Sequence, residues 1–144
     1  MAIEYKQIDE DILASMSELW GGWIKDLITI RDDTFPLAAM DGDTPTGYVC
    51  VMPRTLDHPL EHIKDAYIES LGVHDDYRRQ GIGQHLIFYA ERWARSEGFV
   101  QIRSHSNVIA VEAINMWHKL GYGLCPHVYS KEEGCAGYYV AKVL

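Results

Sequence analysis

Between residues 11 and 28 the apolar side chains Ile12, Leu13, Met16, Leu19, Trp20, Trp23, Ile24, Leu27 and Ile28 recur every three or four positions. That spacing gathers them on one face of a helix. Gly21 and Gly22 interrupt the run, so the pattern predicts two helices. Shorter apolar or alternating segments predict strands at 3–8, 35–40, 47–52, 65–74, 100–104, 125–129 and 138–143. The turn-favouring run Asp41, Gly42, Asp43, Thr44 and Pro45 predicts a hairpin between the second and third of these, and residues 53–64, with Pro53 and Pro59, read as a loop. A further helical period over 85–96 places Leu86, Ile87, Ala90, Trp93 and Ala94 together and stops at Gly98. Another follows Asn107, an N-cap by residue type, with Ala110, Ile114, Trp117 and Leu120 inward and Gly121 as its stop. Strands and helices alternate without repeat, linker or low-complexity tract, which predicts one α/β (α+β) domain over 1–144 with a mixed sheet.

At 144 residues, 47% apolar and 24% charged, the chain is long enough to bury about two thirds of its unfolded surface. Its 13 basic and 21 acidic side chains leave a formal charge of −8. Nucleic acid and anionic membranes are repelled by such a balance outside a local basic patch, so neither is expected as a partner. No apolar run reaches the ~20 residues of a membrane span, and the first residues lack the charged-then-apolar layout of a secretory leader. Cys50, Cys125 and Cys135 contain no Cys-x-x-Cys pair and cannot all bridge one another, which fits a reducing compartment. The expectation is a cytoplasmic protein with free thiols.

Candidate chemistry concentrates in residues 77–84, Tyr-Arg-Arg-Gln-Gly-Ile-Gly-Gln, between the strand predicted at 65–74 and the helix predicted at 85–96. Gly81 and Gly83 carry no Cβ, so the main chain there can reach unusual conformations and press its N–H groups against a ligand. The first N–H groups of a helix have no partners within it, and the macrodipole is positive at that end, which suits phosphate. Arg78 and Arg79 add charge beside it. Two other phosphate loops are excluded by spacing. A dinucleotide fingerprint needs glycine where Leu86 stands, and a P-loop needs Lys and then Ser or Thr where Gln84 and His85 stand.

The segment from Val73 to Gly83 resembles the acetyl-CoA signature of the GCN5-related N-acetyltransferases (GNAT), with Arg78, Gly81 and Gly83 at the family's spacing of Gln or Arg, two residues, Gly, one residue, then Gly or Ala. A second block, Asn107 with Ala110 and Ala113 leading into Trp117-His118-Lys119-Leu120-Gly121-Tyr122, is similar to the family's Asn, Ala, aromatic, then Lys-Leu-Gly-Phe segment. The two blocks stand in the family's order and cover about the second half of the chain. The resemblance implies a GNAT-like fold, a mixed central sheet flanked by helices on both faces. In it the strand ending near Val73 and the one starting near Val100 splay apart to admit a pantetheine arm. It implies acetyl-CoA as cosubstrate, no metal, and transfer of an acetyl group to a primary amine of a small molecule or peptide by direct attack in a ternary complex. By the same likeness Arg78, Arg79, Gln80, Gly81, Ile82 and Gly83 hold the pyrophosphate, and main-chain groups at Leu71 and Val73 bind the pantetheine and thioester. The same likeness implies a contact of the Asn107 amide with the cofactor arm, although capping alone accounts for this residue. Family members often dimerise through the sheet edge, so a homodimer is among the expected assemblies.

Acetyl transfer needs the thioester beside a neutral nitrogen, an acceptor for its proton and donors aimed at the carbonyl oxygen. Glu69 is the candidate base. Strand alternation places it on one side with Tyr67, Leu71 and Val73, and many family members carry an acidic residue on this strand. For the general acid the family often uses Tyr, but the matching position here is Trp117, whose indole N–H has no useful acidity. Tyr129 is the candidate substitute and Tyr122 a further one, but each reads more readily as a packed or edge tyrosine, and water can protonate a departing thiolate. The departure at Trp117 keeps a second reading open, a non-catalytic acyl-CoA-binding sensor or interaction module of the same fold. Trp20 and Trp23 belong to a helical stripe of the kind that usually forms core, although family likeness puts one of them at the border of the acceptor groove. Asp32 and Asp33 follow those helices and read first as a solvated turn, with attraction of a cationic substrate as the alternative. His58-Pro59-Leu60-Glu61-His62 has the spacing of a zinc peptidase motif, but a proline-bearing loop does not present both histidines on one helical face, so no metal is expected.

Overall fold

Among the described residues, seven strands form one sheet in the order β1-β2-β3-β4-β5-β7-β6. The computed structural model describes the chain except residues 1, 107–110 and 131–134, and except the side chains of residues 128–130, 135 and 136. The strands are β1 (Ile3–Gln7), β2 (Phe35–Asp41), β3 (Thr44–Arg54), β4 (Asp65–Val73), β5 (Gln101–Ser106), β6 (Gly123–Ser130) and β7 (Cys135–Val143). β4 and β5 run parallel, joined by a helical crossover, and the other neighbours are antiparallel. The expected hairpin joins β2 and β3, with Asp41 opposite Thr44.

Helices cover both faces. The first, α1 (Glu10–Trp20), is capped by Asp9, whose side chain accepts from the Ile12 N–H at 2.8 Å, and it ends at Gly21 with φ 112°. Residues Gly22–Leu27 continue as a 3₁₀ segment, a tighter coil than the helical period predicts. Leu13, Met16, Ile24 and Ile28 of this region bury against Ala38, Met40, Tyr48 and Cys50 of the sheet. On the opposite face α2 (Ile82–Ser96) and α3 (Val111–Lys119) pack Leu86, Ile87, Ala90, Ala94 and Trp117 onto Leu37, Ala39, Val49 and Val51. The alternation of β2 and β3 thus feeds two cores, one per face. α2 starts at Ile82 rather than at 85, because the Ile82 side chain is buried in the core and that burial outweighs the poor helix propensity of Gly83.

β4 changes phase halfway along. Ala66 and Ile68 face α2, yet so do Leu71 and Val73, which an unbroken strand would turn away. The register gives the reason: Val51 pairs with Ile68 and Cys50 with Ser70, leaving Glu69 without a partner on β3. One extra residue in a bulge flips the alternation of everything after it. β4 then parts from β5. Their pairing runs from Asp65 and Gln101 to Tyr67 and Arg103 and stops, while β5 continues along β7 as far as Ser106 and Tyr138. Asp65, fully buried, clamps the paired end by accepting from Arg103 Nη2 at 2.6 Å, from Arg103 Nε at 2.8 Å and from Gln101 at 2.8 Å. At the point of separation Ser104 Oγ donates to the Ile68 carbonyl at 3.0 Å.

Candidate active site

The separation of the two strands exposes one edge of β4. His74 N donates to Thr46 O at 2.8 Å, so His74, Gly72 and Ser70 turn their main-chain groups toward β3, and Leu71 and Val73 turn theirs the other way. Among the described residues no strand pairs with that edge. The Val73 carbonyl accepts from Arg78 Nε at 3.3 Å. The edge borders a cleft of about 650 Å³, closed on its other sides by the 77–84 turn, the start of α2 and one side of α3. Leu71, Val73, Arg78, Arg79, Gly81, Ile82 and Gly83 all line it, together with Glu112, Ala113 and Met116. Gln80 is exposed beside the turn and does not line the cleft. Asn107 lies outside the described residues.

The turn works through its backbone. Gly81 is the N-cap of α2 in a left-handed conformation, φ 80°, and no side chain caps the helix. The first-turn N–H groups therefore open on the cleft with the positive end of the helix behind them, an arrangement that suits a diphosphate. Arg79 is also left-handed, φ 63°. Gly83 differs from the expectation: it has helical geometry, and its importance is space. A Cβ there would lie 3.6 Å from Met116 Sδ and 3.7 Å from Val73 Cγ2, between the two walls of the cleft. Arg78 pairs with Asp75 at 2.9 Å, and Arg79 with Glu112 at 2.6 Å.

Glu69 lies on the other face of the sheet. Thr29 Oγ1 donates to its carboxylate, 2.9 Å from one oxygen and 3.2 Å from the other, and the neighbouring Ser70 Oγ donates to the Leu27 carbonyl at 2.6 Å. The expectation that Glu69 shares a side with Leu71 and Val73 is corrected by the bulge, which sends those two toward α2 and leaves Glu69 on the α1 side. Cys50 lies under the same segment, accepting from the Thr29 N–H at 3.4 Å. Burial, with a smaller contribution from Glu69, pushes its thiol up to about 12, so it carries no thiolate at neutral pH.

His105 is a residue that sequence reasoning missed. With Ile102 in the α2-side core, alternation along β5 puts His105 on the Glu69 side. Had β4 and β5 stayed paired beyond Tyr67 and Arg103, Glu69 and His105 would be opposite each other, so they flank the opening. The His105 ring packs on His127 and Tyr139, centroids 4.7 and 4.9 Å away. Burial and the neighbouring His127 hold its pKa below the ordinary 6.5, so the imidazole is uncharged at neutral pH. Its only signal in the sequence is a position two residues beyond Arg103, which acquires meaning once the split is known.

The aromatic candidates for a general acid fare differently. Trp117 is buried and meets Tyr122 edge-on at 4.8 Å, so it is a core residue and does not line the cleft. Tyr122 donates to Glu91 at 2.8 Å, and burial together with that carboxylate raises its pKa far above the usual range, which removes it as an acid. The Tyr129 side chain lies outside the described residues. Trp20 packs against Tyr48 at 5.4 Å, whereas Trp23 is half exposed. Asp33 is paired with Arg31, and His58 with Glu61 at 2.8 Å. No group of three or more His, Cys, Asp or Glu among the described residues is arranged to hold a metal ion.

Comparison with known proteins agrees with this geometry. Residues 4–122 match the Acetyltransferase (GNAT) family. The probable N-acetyltransferase 14 of Xenopus tropicalis is 34% identical over 86 residues, which is 60% of this chain and 39% of that protein. Among solved structures, Arabidopsis thaliana NAA60 in complex with acetyl-CoA superposes with a TM-score of 0.77 over 99% of this chain and 100% of that one, at 16% identity. An aminoglycoside 6'-N-acetyltransferase complexed with coenzyme A gives 0.73 over 99% and 97%, also at 16% identity. The shared fold, the parted strands and a family match spanning most of the sequence lead to one conclusion: the chain belongs to the GNAT acetyltransferase family.

Proposed function

We propose that the chain is an acetyl-CoA-dependent N-acetyltransferase that passes an acetyl group to a primary amine by direct attack in a ternary complex. One observation carries this reading. Main-chain groups of Leu71 and Val73 on an unpaired strand edge face a cleft that also receives the uncapped start of α2. Amide donors along one wall and a helix N-terminus at its end fit a molecule with an amide-bearing arm and a diphosphate. The complexes of structural neighbours with acetyl-CoA and coenzyme A support the same cosubstrate.

When bound, acetyl-CoA supplies an activated thioester. The first turn of α2, with Arg78 and Arg79, holds the diphosphate. The Leu71 and Val73 N–H groups bind the arm and donate to the thioester oxygen as negative charge grows on it. The amine approaches from the α1 face, where Glu69, oriented by Thr29, takes its proton directly or through one water. The C–N bond forms as the C–S bond breaks, and the departing thiolate takes a proton from water. Cys50, its thiol held neutral, offers no nucleophile for an acetyl-enzyme route.

The uncharged imidazole of His105, on the opposite flank of the opening, favours a second reading of the proton acceptor. Glu69→Gln and His105→Asn separate the two: loss of the true base lowers kcat by about 100-fold or more. The reaction itself is tested by incubating the protein with acetyl-CoA and a panel of amines, including peptides, polyamines, amino acids and aminoglycosides, while following free thiol. Steady turnover with any acceptor is expected. Coenzyme binding without turnover across the panel would favour the non-catalytic module.

A further inference from the structure

We propose that Glu112 sets how tightly the coenzyme is held, by competing with its phosphates for Arg79. The inference rests on the acetyl-CoA site proposed above. Arg79 belongs to the turn at the start of α2, and its left-handed backbone, φ 63°, fixes the direction in which its side chain leaves the chain. Its Nη2 donates to Oε1 of Glu112 at 2.6 Å. Glu112 stands in the first turn of α3, and both residues line the cleft. The pair therefore bridges the cleft from the phosphate turn to the facing helix. Arg78 provides the contrast, since its partner Asp75 belongs to the same local turn and does not line the cleft.

An acidic side chain in a cleft suited to a polyanion is of the wrong sign for holding it. Glu112 does complement the dipole at the start of α3, but that role needs no contact with Arg79. A phosphate oxygen that bonds Arg79 Nη2 must take it from Glu112, and one that uses another guanidinium N–H still brings negative charge beside the carboxylate. Binding weakens, and coenzyme leaves faster after transfer. With side chains 82% and 74% exposed the effect is modest, about two- to fivefold in Kd, and salt screens it.

Titration calorimetry with CoA, at low and at physiological salt, tests this on the whole chain and on Glu112→Gln, Arg79→Ala and the double variant. Glu112→Gln is expected to bind CoA about two- to fivefold tighter at low salt, with a smaller gain at higher salt and none in the Arg79→Ala background. Unchanged or weaker binding by Glu112→Gln would overturn the proposal. So would an equal gain without Arg79, which would assign the effect to general repulsion. Failure of the unaltered protein to bind CoA is a separate outcome that removes the site itself, and the proposal with it.

Discussion

The hydroxyl of Thr29 holds the carboxylate of Glu69, 2.9 Å from its nearer oxygen, from a segment that belongs to no strand of the sheet. Glu69 has no partner on β3 because it is the extra residue of the bulge, so Thr29 orients it from outside. Glu69→Gln keeps the shape and removes the proposed base, and kcat/KM with the best acceptor is expected to fall about 100-fold or more. Thr29→Val leaves the carboxylate and removes one hydrogen bond, for an expected loss of about fivefold. CoA affinity, measured alongside, is expected to stay unchanged in both variants, since the carboxylate faces away from the cleft.

His105 makes stability depend on pH. Its folded pKa lies below the ordinary 6.5, chiefly through burial and then through His127. In the window beneath 6.5 the unfolded chain therefore binds more protons than the folded one at this site. The sign follows: the contribution is fully present above 6.5 and is lost as pH falls through the folded value. Thermal midpoints measured from about pH 7.5 to about pH 5 should fall, and should fall less in His105→Phe. Identical pH dependence in the two proteins would contradict this assignment.

Gly72 leaves room for a ring. A Cβ at this position would stand 2.6 Å from the Tyr48 hydroxyl and 2.7 Å from its ring carbons, and Tyr48 is itself buried against Trp20. Gly72→Ala must push the ring or bend β4, at a cost of about 1–3 kcal/mol in a denaturant melt. Tyr48→Ala in the same background removes the clash and should make the two substitutions non-additive.

What could be read from the sequence was local. The glycine turn between a strand and a helix, the split of the first helical run at Gly21 and the stop at Gly121 each depend on neighbours within a few residues, and each stands where expected. The phase of β4 could not be read this way. It depends on how β3 pairs on either side of Glu69, Val51 with Ile68 and Cys50 with Ser70, and those distant partners are invisible in the alternation of β4 alone. Trp117 is inward by helical period and is buried, but its edge-on partner Tyr122 depends on how α3 sits on the sheet. The same holds for His105, whose significance comes from the parting of two strands.

The cysteines should differ sharply in reactivity. Cys50 is buried with its thiol pushed up to about 12, whereas Cys125 is exposed. Brief treatment of the folded protein with iodoacetamide, followed by peptide mapping, should modify Cys125 and spare Cys50. Unfolding in guanidinium before labelling should make Cys50 reactive as well.

Acetyl transfer of the proposed kind requires coenzyme binding in the cleft beside β4. Gly83 is the position that tests it with least disturbance, because its backbone is helical and a side chain there would enter the space between Val73 and Met116. Calorimetric titration of CoA into the unaltered protein should give saturable binding, and into Gly83→Trp binding weakened by about tenfold or more with an unchanged helical spectrum. Equal affinity in the two proteins, or no binding by the unaltered chain, would contradict it.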